Sequence, residues 1–282
     1  MSKKTKRTLK RILLIAALAM LVVVLTGCGN MNSPVTKSST NFWDRYVVYY
    51  FQQFILVMAK NWHLGVAWAI IVFTVIVRVI LLPLMYFQSK SQKKQMQLQP
   101  EIKQLQQKYP GKDVDSRQKL NEETQKLYSE AGINPMLGCL PLLLQMPIML
   151  ALYQAIYRTP DLRVGSFIWM QLGQPDQYHI LPIVAGLLTL LSSWLTMKAT
   201  PQQGGIGMAM MGVSAIMITW FAWVTASAVS IYWVVSNLFQ VGQTMLLQNP
   251  WQIQREMAAK EKEKKDKERR LRRAKRRALK KR

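Results

Sequence analysis

Five long runs of apolar residues divide the chain, and each is long enough to predict a helix that crosses a lipid bilayer. They lie at residues 64–87, 134–157, 180–197, 206–224 and 226–247. The last two runs follow each other almost directly, which predicts a tight helical hairpin. The pattern therefore predicts an all-α polytopic membrane protein with five transmembrane helices.

The segment before the first run is apolar and aromatic, but polar residues interrupt it too often for a membrane span. Its apolar side chains recur at helical spacing, opposite two glutamines: Phe51, Phe54, Ile55 and Met58 against Gln52 and Gln53. This spacing predicts an amphipathic helix in the membrane interface.

Residues 88–133, between the first two runs, have a helical pattern of their own. Apolar residues recur every three or four positions before Pro110 and Gly111, at Leu98, Ile102, Leu105 and Tyr109, and Leu120 and Leu127 recur seven apart behind them. Because Pro and Gly end helices and reverse the chain, we predict an antiparallel helical hairpin resembling a short coiled coil. A merely structural connector is the alternative, although 46 residues are long for one.

Charge is strongly segregated along the chain. Half of the 282 residues are hydrophobic, yet the net charge is +24. Residues 199–254 carry no charge, whereas the last 28 residues hold 16 Lys or Arg and five acids. Such a tail cannot pack a core, so we expect residues 248–282 to be solvated, helical in part and disordered at the end.

The N-terminus has the parts of a targeting segment. Six basic residues precede an apolar stretch at 12–25, and the sequence LTGC follows. That tetrapeptide resembles a bacterial lipobox, which predicts a lipoprotein signal peptide at 1–27 and a lipid on Cys28. An uncleaved anchor helix is the alternative. Residues 28–63 would then be an extracellular linker and the interfacial helix.

Basic residues in the loops indicate the orientation in the membrane. Residues 88–133 carry nine, residues 158–179 carry two, and the tail carries 16. The hairpin and the tail are therefore predicted to be cytoplasmic, and the mature N-terminus to lie outside. This orientation agrees with lipidation of Cys28 on the outer face.

Motifs for enzyme chemistry are missing from the sequence. It has no HExxH motif, no Gly-rich phosphate loop and no paired intramembrane aspartates. Cys139 is the single cysteine after Cys28, and the two histidines, His63 and His179, lie at the edges of apolar runs. We expect no enzymatic activity, no metal site, no cofactor and no small-molecule substrate.

Arg78 carries the single formal charge in residues 64–87, and none of the five runs contains Asp or Glu. A cation at that depth costs at least about 2.5 kcal/mol unless water or a partner compensates. We therefore predict a hydrated groove that opens to the cytoplasm, where Arg78 attracts acidic groups.

Uncharged polar or amphipathic residues in the runs are candidates to line that groove with Arg78. They are Thr74, Gln145, Gln154, Ser193, Trp233, Ser236, Asn237 and Gln240. The alternative role for each is hydrogen bonding between helices, worth less than about 1 kcal/mol per contact.

Together these features resemble the YidC family of membrane protein insertases in its Gram-positive lipoprotein form. The most specific part is GINPMLGCLPLLLQMPI, and the fifth run, ASAVSIYWVVSNLFQVGQTMLL, supports it. The resemblance implies five helices, residues 64–247, around a hydrophilic groove in which Arg78 is the groove arginine. It implies a bacterial plasma membrane protein that inserts and helps fold nascent membrane proteins, with a hairpin that recruits substrates.

The same resemblance implies that the basic tail assists contact with the ribosome, and the general secretion channel is a further candidate partner. Two other functions remain open. A channel or secondary transporter would also use a lone charge in a cavity, but internal repeats are not evident. A ribosome receptor without insertase activity would explain the tail but not Arg78.

Overall fold

The protein is described by a computed structural model that covers residues 33–63, 65–111, 113–134, 140–199 and 204–280. The predicted signal peptide and Cys28 lie outside these residues. The described chain is predominantly helical, as expected, with one small sheet of two short strands.

The helices and strands follow one another in this order. After a π-helical turn at Asp44–Val48 come α1 (Tyr49–Asn61), α2 (Gly65–Lys108), α3 (Val114–Glu130), α4 (Leu140–Tyr157), α5 (Pro160–Arg163), β1 (Ser166–Phe167), β2 (Met170–Gln171), α6 (Ile180–Ala199), α7 (Gly204–Val224), α8 (Ser227–Leu247) and α9 (Pro250–Lys280).

Each of the five apolar runs contains a helix, namely α2, α4, α6, α7 and α8. By length and composition, two described helices could cross a membrane, Gly65–Lys108 and Ile180–Lys198. Leu143–Tyr157 and Met211–Val224 are shorter apolar helices. The first run and the first helix of the predicted hairpin form one continuous helix of 44 residues, because no turn residue separates them.

The fold divides into two compact units. Among the described residues, unit 1 comprises 33–80, 140–186 and 217–236, and unit 2 comprises 81–134, 187–199, 204–216 and 237–280. The main hydrophobic core of unit 1 is built from α1, α2, α4 and α8, with Ile55, Ile70, Leu152 and Val229 almost fully buried. A smaller cluster packs the segment before α1 against α4.

A structured loop between α4 and α6 completes unit 1. β1 and β2 pair antiparallel, with Phe167 opposite Met170. The buried carboxylate of Asp176 accepts hydrogen bonds from the Trp169 indole and from the backbone N–H of Leu181, at 3.0 and 2.8 Å. The loop is therefore fixed by its own polar contacts.

Unit 2 contains the hairpin. The chain reverses at Gly111, whose φ of 69° favours glycine. Asp113 caps α3 by accepting from the Ser116 N–H at 2.9 Å. Ile102 is buried on α2, but α3 buries no residue fully, so the predicted coiled-coil packing of the hairpin is not seen.

Helix α9 also belongs to unit 2. We expected a tail that is only partly helical and disordered at its end, but the helix continues to Lys280. Its first turns pack on α2. Ile253 and Met257 of α9 contact Met96 of α2, and Met96 and Ile253 are buried. This apolar contact explains why a strongly basic segment is ordered at its base.

Candidate functional site

The candidate site is built around Arg78, which lies in the apolar half of α2. Its guanidinium Nη2 donates to the side-chain oxygen of Gln145 on α4, at 3.5 Å. The side chain is half-buried, so the charge is drawn toward the protein interior and not displayed on an open surface.

Gln145 links this arginine to a third helix. While its carbonyl oxygen accepts from Arg78, its amide nitrogen donates to the hydroxyl of Tyr232 on α8. Tyr232 is almost fully buried, with 2% of its surface exposed. The carboxamide thus joins α2, α4 and α8 through one polar chain, which we call the Arg78 relay (Arg78, Gln145 and Tyr232).

Tyr232 is the relay member that the sequence analysis missed. Its hydroxyl is the one polar group of an otherwise large apolar side chain, and the predicted groove residues on α8 begin one position later, at Trp233. A signal was nevertheless present: Tyr232, Ser236, Gln240 and Gln243 follow i, i+4, i+8 and i+11, which is one helix face.

Two predicted groove residues in unit 1 make other hydrogen bonds. The Thr74 hydroxyl, one turn before Arg78, donates to the Ile70 carbonyl at 2.7 Å, inside its own helix. Gln154, buried on α4, accepts from the Trp43 indole at 2.9 Å. Gln154 therefore holds the segment before α1.

The remaining predicted residues lie on α8 and α6. Trp233 is half-buried and packs edge-on against Tyr232, with ring centroids 6.0 Å apart, and Ser236 is buried. Three more predicted residues are half-buried in unit 2, namely Asn237, Gln240 and Ser193. The backbone carbonyl of Gln240 accepts a hydrogen bond from the Thr244 hydroxyl at 2.8 Å.

The electrostatics of the relay follow from its chemistry. Gln145 and Tyr232 are neutral, so their hydrogen bonds orient Arg78 without cancelling its charge. The apolar runs contain no carboxylate either. Such a site can attract an acidic group and hold it briefly. The described residues contain no cluster of His, Cys, Asp or Glu that could hold a metal.

A second candidate surface is the basic helix α9, whose base is fixed by several contacts in unit 2. Asn249 caps its first turn by accepting from the Trp251 N–H at 3.2 Å, and Lys93 pairs with Glu256 at 3.0 Å. Lys198 lies over the Trp251 ring at 5.3 Å, and its carbonyl accepts from Gln254 at 2.9 Å.

The distal part of α9 has a different character. Acidic residues alternate with basic ones as far as Glu268, and Glu263 pairs with Lys267 at 2.8 Å. Residues 269–282 then hold ten basic residues and no acid. The arginines among them that the structure describes are exposed: Arg269, Arg270, Arg272, Arg273, Arg276 and Arg277.

Several known proteins are similar to this chain. A family model described as "60Kd inner membrane protein" matches residues 54–256. The chain is 48% identical over 266 residues to "Membrane protein insertase YidC" of Enterococcus faecalis, covering 94% of this chain and 95% of that protein. It is 41% identical over 241 residues to "Membrane protein insertase MisCA" of Bacillus subtilis, covering 86% and 92%.

A solved structure is also similar. It is the "Active YidC insertase crystal structure with the first transmembrane domain resolved", with a TM-score of 0.57 and 29% sequence identity. The match covers 72% of this chain and 47% of that chain, so this protein spans about half the length of that relative.

The helical fold and the long apolar runs define the class as a predominantly helical membrane protein. The extent of the sequence match then gives the family: the chain belongs to the 60Kd inner membrane protein family, which includes the YidC insertases.

Proposed function

We propose that this protein is a membrane protein insertase that inserts nascent membrane proteins into the bacterial plasma membrane and helps them fold. Family membership supports this function. The observation on the chain itself that carries it is the Arg78 relay, in which a cation within apolar helices is hydrogen-bonded to Gln145 and through it to Tyr232.

The membrane arrangement is part of the proposal. Five helices, α2, α4, α6, α7 and α8, surround a hydrophilic groove that opens to the cytoplasm. The hairpin and the tail are cytoplasmic, since most basic loop residues are there, and the mature N-terminus is outside, anchored by a lipid on Cys28. The groove walls include the side chains of Thr74, Ser193, Trp233, Ser236, Asn237 and Gln240.

The mechanism follows from the cost of moving charge through lipid. Each charge carried to the bilayer centre costs a few kcal/mol, and a hydrated groove shortens that passage. Arg78 pairs transiently with acidic residues of the translocated segment. The apolar span of the substrate leaves sideways into lipid, and its partition into the bilayer drives the reaction without a cofactor.

Reconstitution in liposomes tests this mechanism, with ribosome-bound single-span substrates whose translocated segment is either acidic or neutral. Arg78→Lys should retain much of the activity. Arg78→Ala should lose insertion of the acidic substrate while sparing the neutral one. If the Ala variant inserts both substrates equally well, Arg78 is not a charge attractor.

The same liposomes separate the insertase from the other functions. A channel or transporter would pass ions or solutes without a substrate protein. A ribosome receptor would bind ribosomes but leave the substrate span outside the bilayer. Protease protection of the translocated segment therefore decides between them.

The basic helix α9 is proposed to contact ribosomal RNA. Residues 269–282 hold ten basic residues and no acid, and phosphate groups are the natural ligands of such a cluster. Anionic lipid is the competing ligand, worth about 1 kcal/mol per basic residue near the surface. The general secretion channel is a further proposed partner, which co-purification after crosslinking would test.

The lipid anchor has a direct test. Mass spectrometry of the mature protein should find an N-terminus at Cys28 with a lipid attached. An intact Met1 in the membrane-bound protein would mean that residues 1–27 are an uncleaved anchor.

A further inference from the structure

Helix α4 carries Gln145, yet its sequence does little to fix its rotation. Apolar residues lie on every side of it, so burial alone does not decide which face points where. Polar contacts must therefore select the orientation that brings Gln145 to Arg78 and Tyr232.

The segment before and within α1, residues 33–61, supplies such contacts, and we call it the N-terminal arm. It packs on one face of α4, formed by Ala151, Gln154 and Ala155, and that face continues in Arg158, the residue directly after the helix. The two alanines are fully buried against Val35, Trp43 and Val48. Small side chains at these positions let the arm approach the α4 backbone closely.

Two polar contacts fix this packing at defined points. The Arg158 guanidinium makes a bidentate pair with the Asp44 carboxylate, at 2.8 and 2.9 Å. The Arg158 side chain is only 3% exposed and also donates to the Ser33 carbonyl at 2.8 Å. One turn earlier on α4, Gln154 accepts from the Trp43 indole.

The side of α4 that makes the polar contacts with the arm lies away from the side that carries Gln145. At 3.6 residues per turn, Gln154 is rotated by about 180° from Gln145. Ile148, Leu152 and Ile156 share the Gln145 side and face the core of unit 1. A rotation of α4 by one residue, about 100°, would move Gln145 out of the relay and would break the Arg158–Asp44 pair at the same time.

We infer that the N-terminal arm is a register lock for α4: Asp44 and Trp43, by holding Arg158 and Gln154, position Gln145 in the Arg78 relay. Arg158 and Asp44 are positioning residues and do not touch a substrate. The consequence for insertion rests on the proposed function, whereas the lock on α4 does not.

Hydrogen exchange of the purified full-length protein tests the lock without any assay of insertion. In Asp44→Ala, a buried guanidinium loses its counter-charge, so backbone exchange should accelerate at least about tenfold in residues 33–61 and 140–158. The hairpin helix α3 should exchange as in the wild type. Asp44→Glu should restore protection, because it restores the carboxylate.

The matched control is Lys60→Ala, which removes an ion pair at the other end of the same arm. Lys60 pairs with Asp161, but the two side chains are 63% and 54% exposed. Exposed pairs contribute little, so exchange should be unchanged. Equal effects of Lys60→Ala and Asp44→Ala, or unchanged exchange of α4 in Asp44→Ala, would overturn the lock. If Asp44→Ala does not fold, Trp43→Phe keeps an aromatic ring but removes the indole N–H and some buried ring volume, and it should give a smaller acceleration in the same segments.

Insertion assays then test the positioning of Gln145. Trp43→Phe and Asp44→Ala should reduce insertion of substrates with an acidic translocated segment severalfold more than that of neutral substrates, as expected when Arg78 is misplaced. General instability would lower both equally. Faster exchange of α4 with an equal loss for both substrates would therefore overturn the positioning role and leave the proposed insertase function untouched.

Discussion

Gln145 donates its side-chain amide to the hydroxyl of Tyr232, and this hydrogen bond joins α4 to α8 inside unit 1. The same carboxamide accepts from Arg78 through its oxygen. Because the tyrosine holds the nitrogen end, the oxygen end is presented to the arginine. Tyr232 thus orients the amide that orients the cation.

Tyr232→Phe tests this orientation. The variant keeps the buried ring but removes the hydroxyl, so the Gln145 carboxamide loses the contact that fixes its direction. One hydrogen bond is worth about 1 kcal/mol, or about fivefold in an equilibrium. Insertion of substrates with an acidic translocated segment should fall about fivefold, measured as protease-protected product in proteoliposomes, while neutral substrates are spared.

Tyr157→Phe is the matched control on α4, because Tyr157 is exposed and stacks on Tyr153 through its ring. It should insert both substrates at the wild-type rate. A Tyr232→Phe variant that is as active as the wild type on acidic substrates would remove Tyr232 from the relay.

Asp176→Ala should destabilise the loop that precedes α6. The variant leaves the buried N–H of Leu181 and the half-buried indole N–H of Trp169 without their acceptor. Unsatisfied buried donors cost about 1 to 3 kcal/mol each, so we expect a loss of about 2 to 4 kcal/mol, measured by thermal unfolding in detergent. Asp176→Asn keeps one acceptor oxygen and should lose about half as much.

Asp161→Asn serves as the control in the same loop, since its pair with Lys60 is solvent-exposed. Its unfolding midpoint should equal that of the wild type. A wild-type midpoint for Asp176→Ala would mean that the carboxylate does not hold the loop.

The helical class was predictable because long apolar runs leave few alternatives in a membrane. Gln145 was named with Arg78 as a candidate groove residue, because both are rare polar residues in such runs, but the hydrogen bond between them was not predicted. Gln154 shows the limit of prediction from local sequence. Nothing near it in the chain reveals that its side chain accepts a hydrogen bond from the Trp43 indole, 111 positions away.

The tail was misjudged for a related reason. Its composition predicts a solvated segment, and composition cannot reveal that Ile253 and Met257 meet Met96 on a distant helix. Two apolar residues in a basic segment are a weak signal. Packing between segments that are far apart in sequence is the information that local patterns lack.

The Asp113 cap of α3 should make the hairpin sensitive to acid. The hydrogen bonds from Ser116 hold the pKa of this carboxylate below its ordinary value. The ionised form is therefore favoured in the folded helix, so the stabilisation is present above the ordinary pKa and is lost as the pH falls through the lowered one. Hydrogen exchange of residues 114–120 should show progressive loss of protection below about pH 4.

Two substitutions check the Asp113 cap. Asp113→Ala should exchange faster in these residues at pH 7, because the cap is gone. Asp113→Asn can still accept the Ser116 N–H but does not titrate, so its protection should lose the acid dependence. If wild type and Asp113→Asn respond to acid identically, another group controls the first turn of α3.

The tail should bind ribosomes through its distal cluster of basic residues. Phosphate contacts release counterions, so the affinity should fall steeply with salt, with a slope near the number of phosphates neutralised. Deletion of residues 269–282 removes ten basic residues, and it should abolish most of that slope in a co-sedimentation series. The hairpin at 88–133 keeps its nine basic residues and provides whatever binding remains.

A second variant separates the effect of the tail's charge from the effect of its packing on α2. Ile253→Ser with Met257→Ser removes the apolar contact of α9 with Met96 but keeps every charge of the tail. Its salt slope should equal that of the wild type, because the same phosphates are contacted. Its affinity should fall severalfold, because an undocked tail must be ordered on binding. If the protein without residues 269–282 co-sediments as well as the full chain at every salt concentration, the hairpin and not the tail is the ribosome contact.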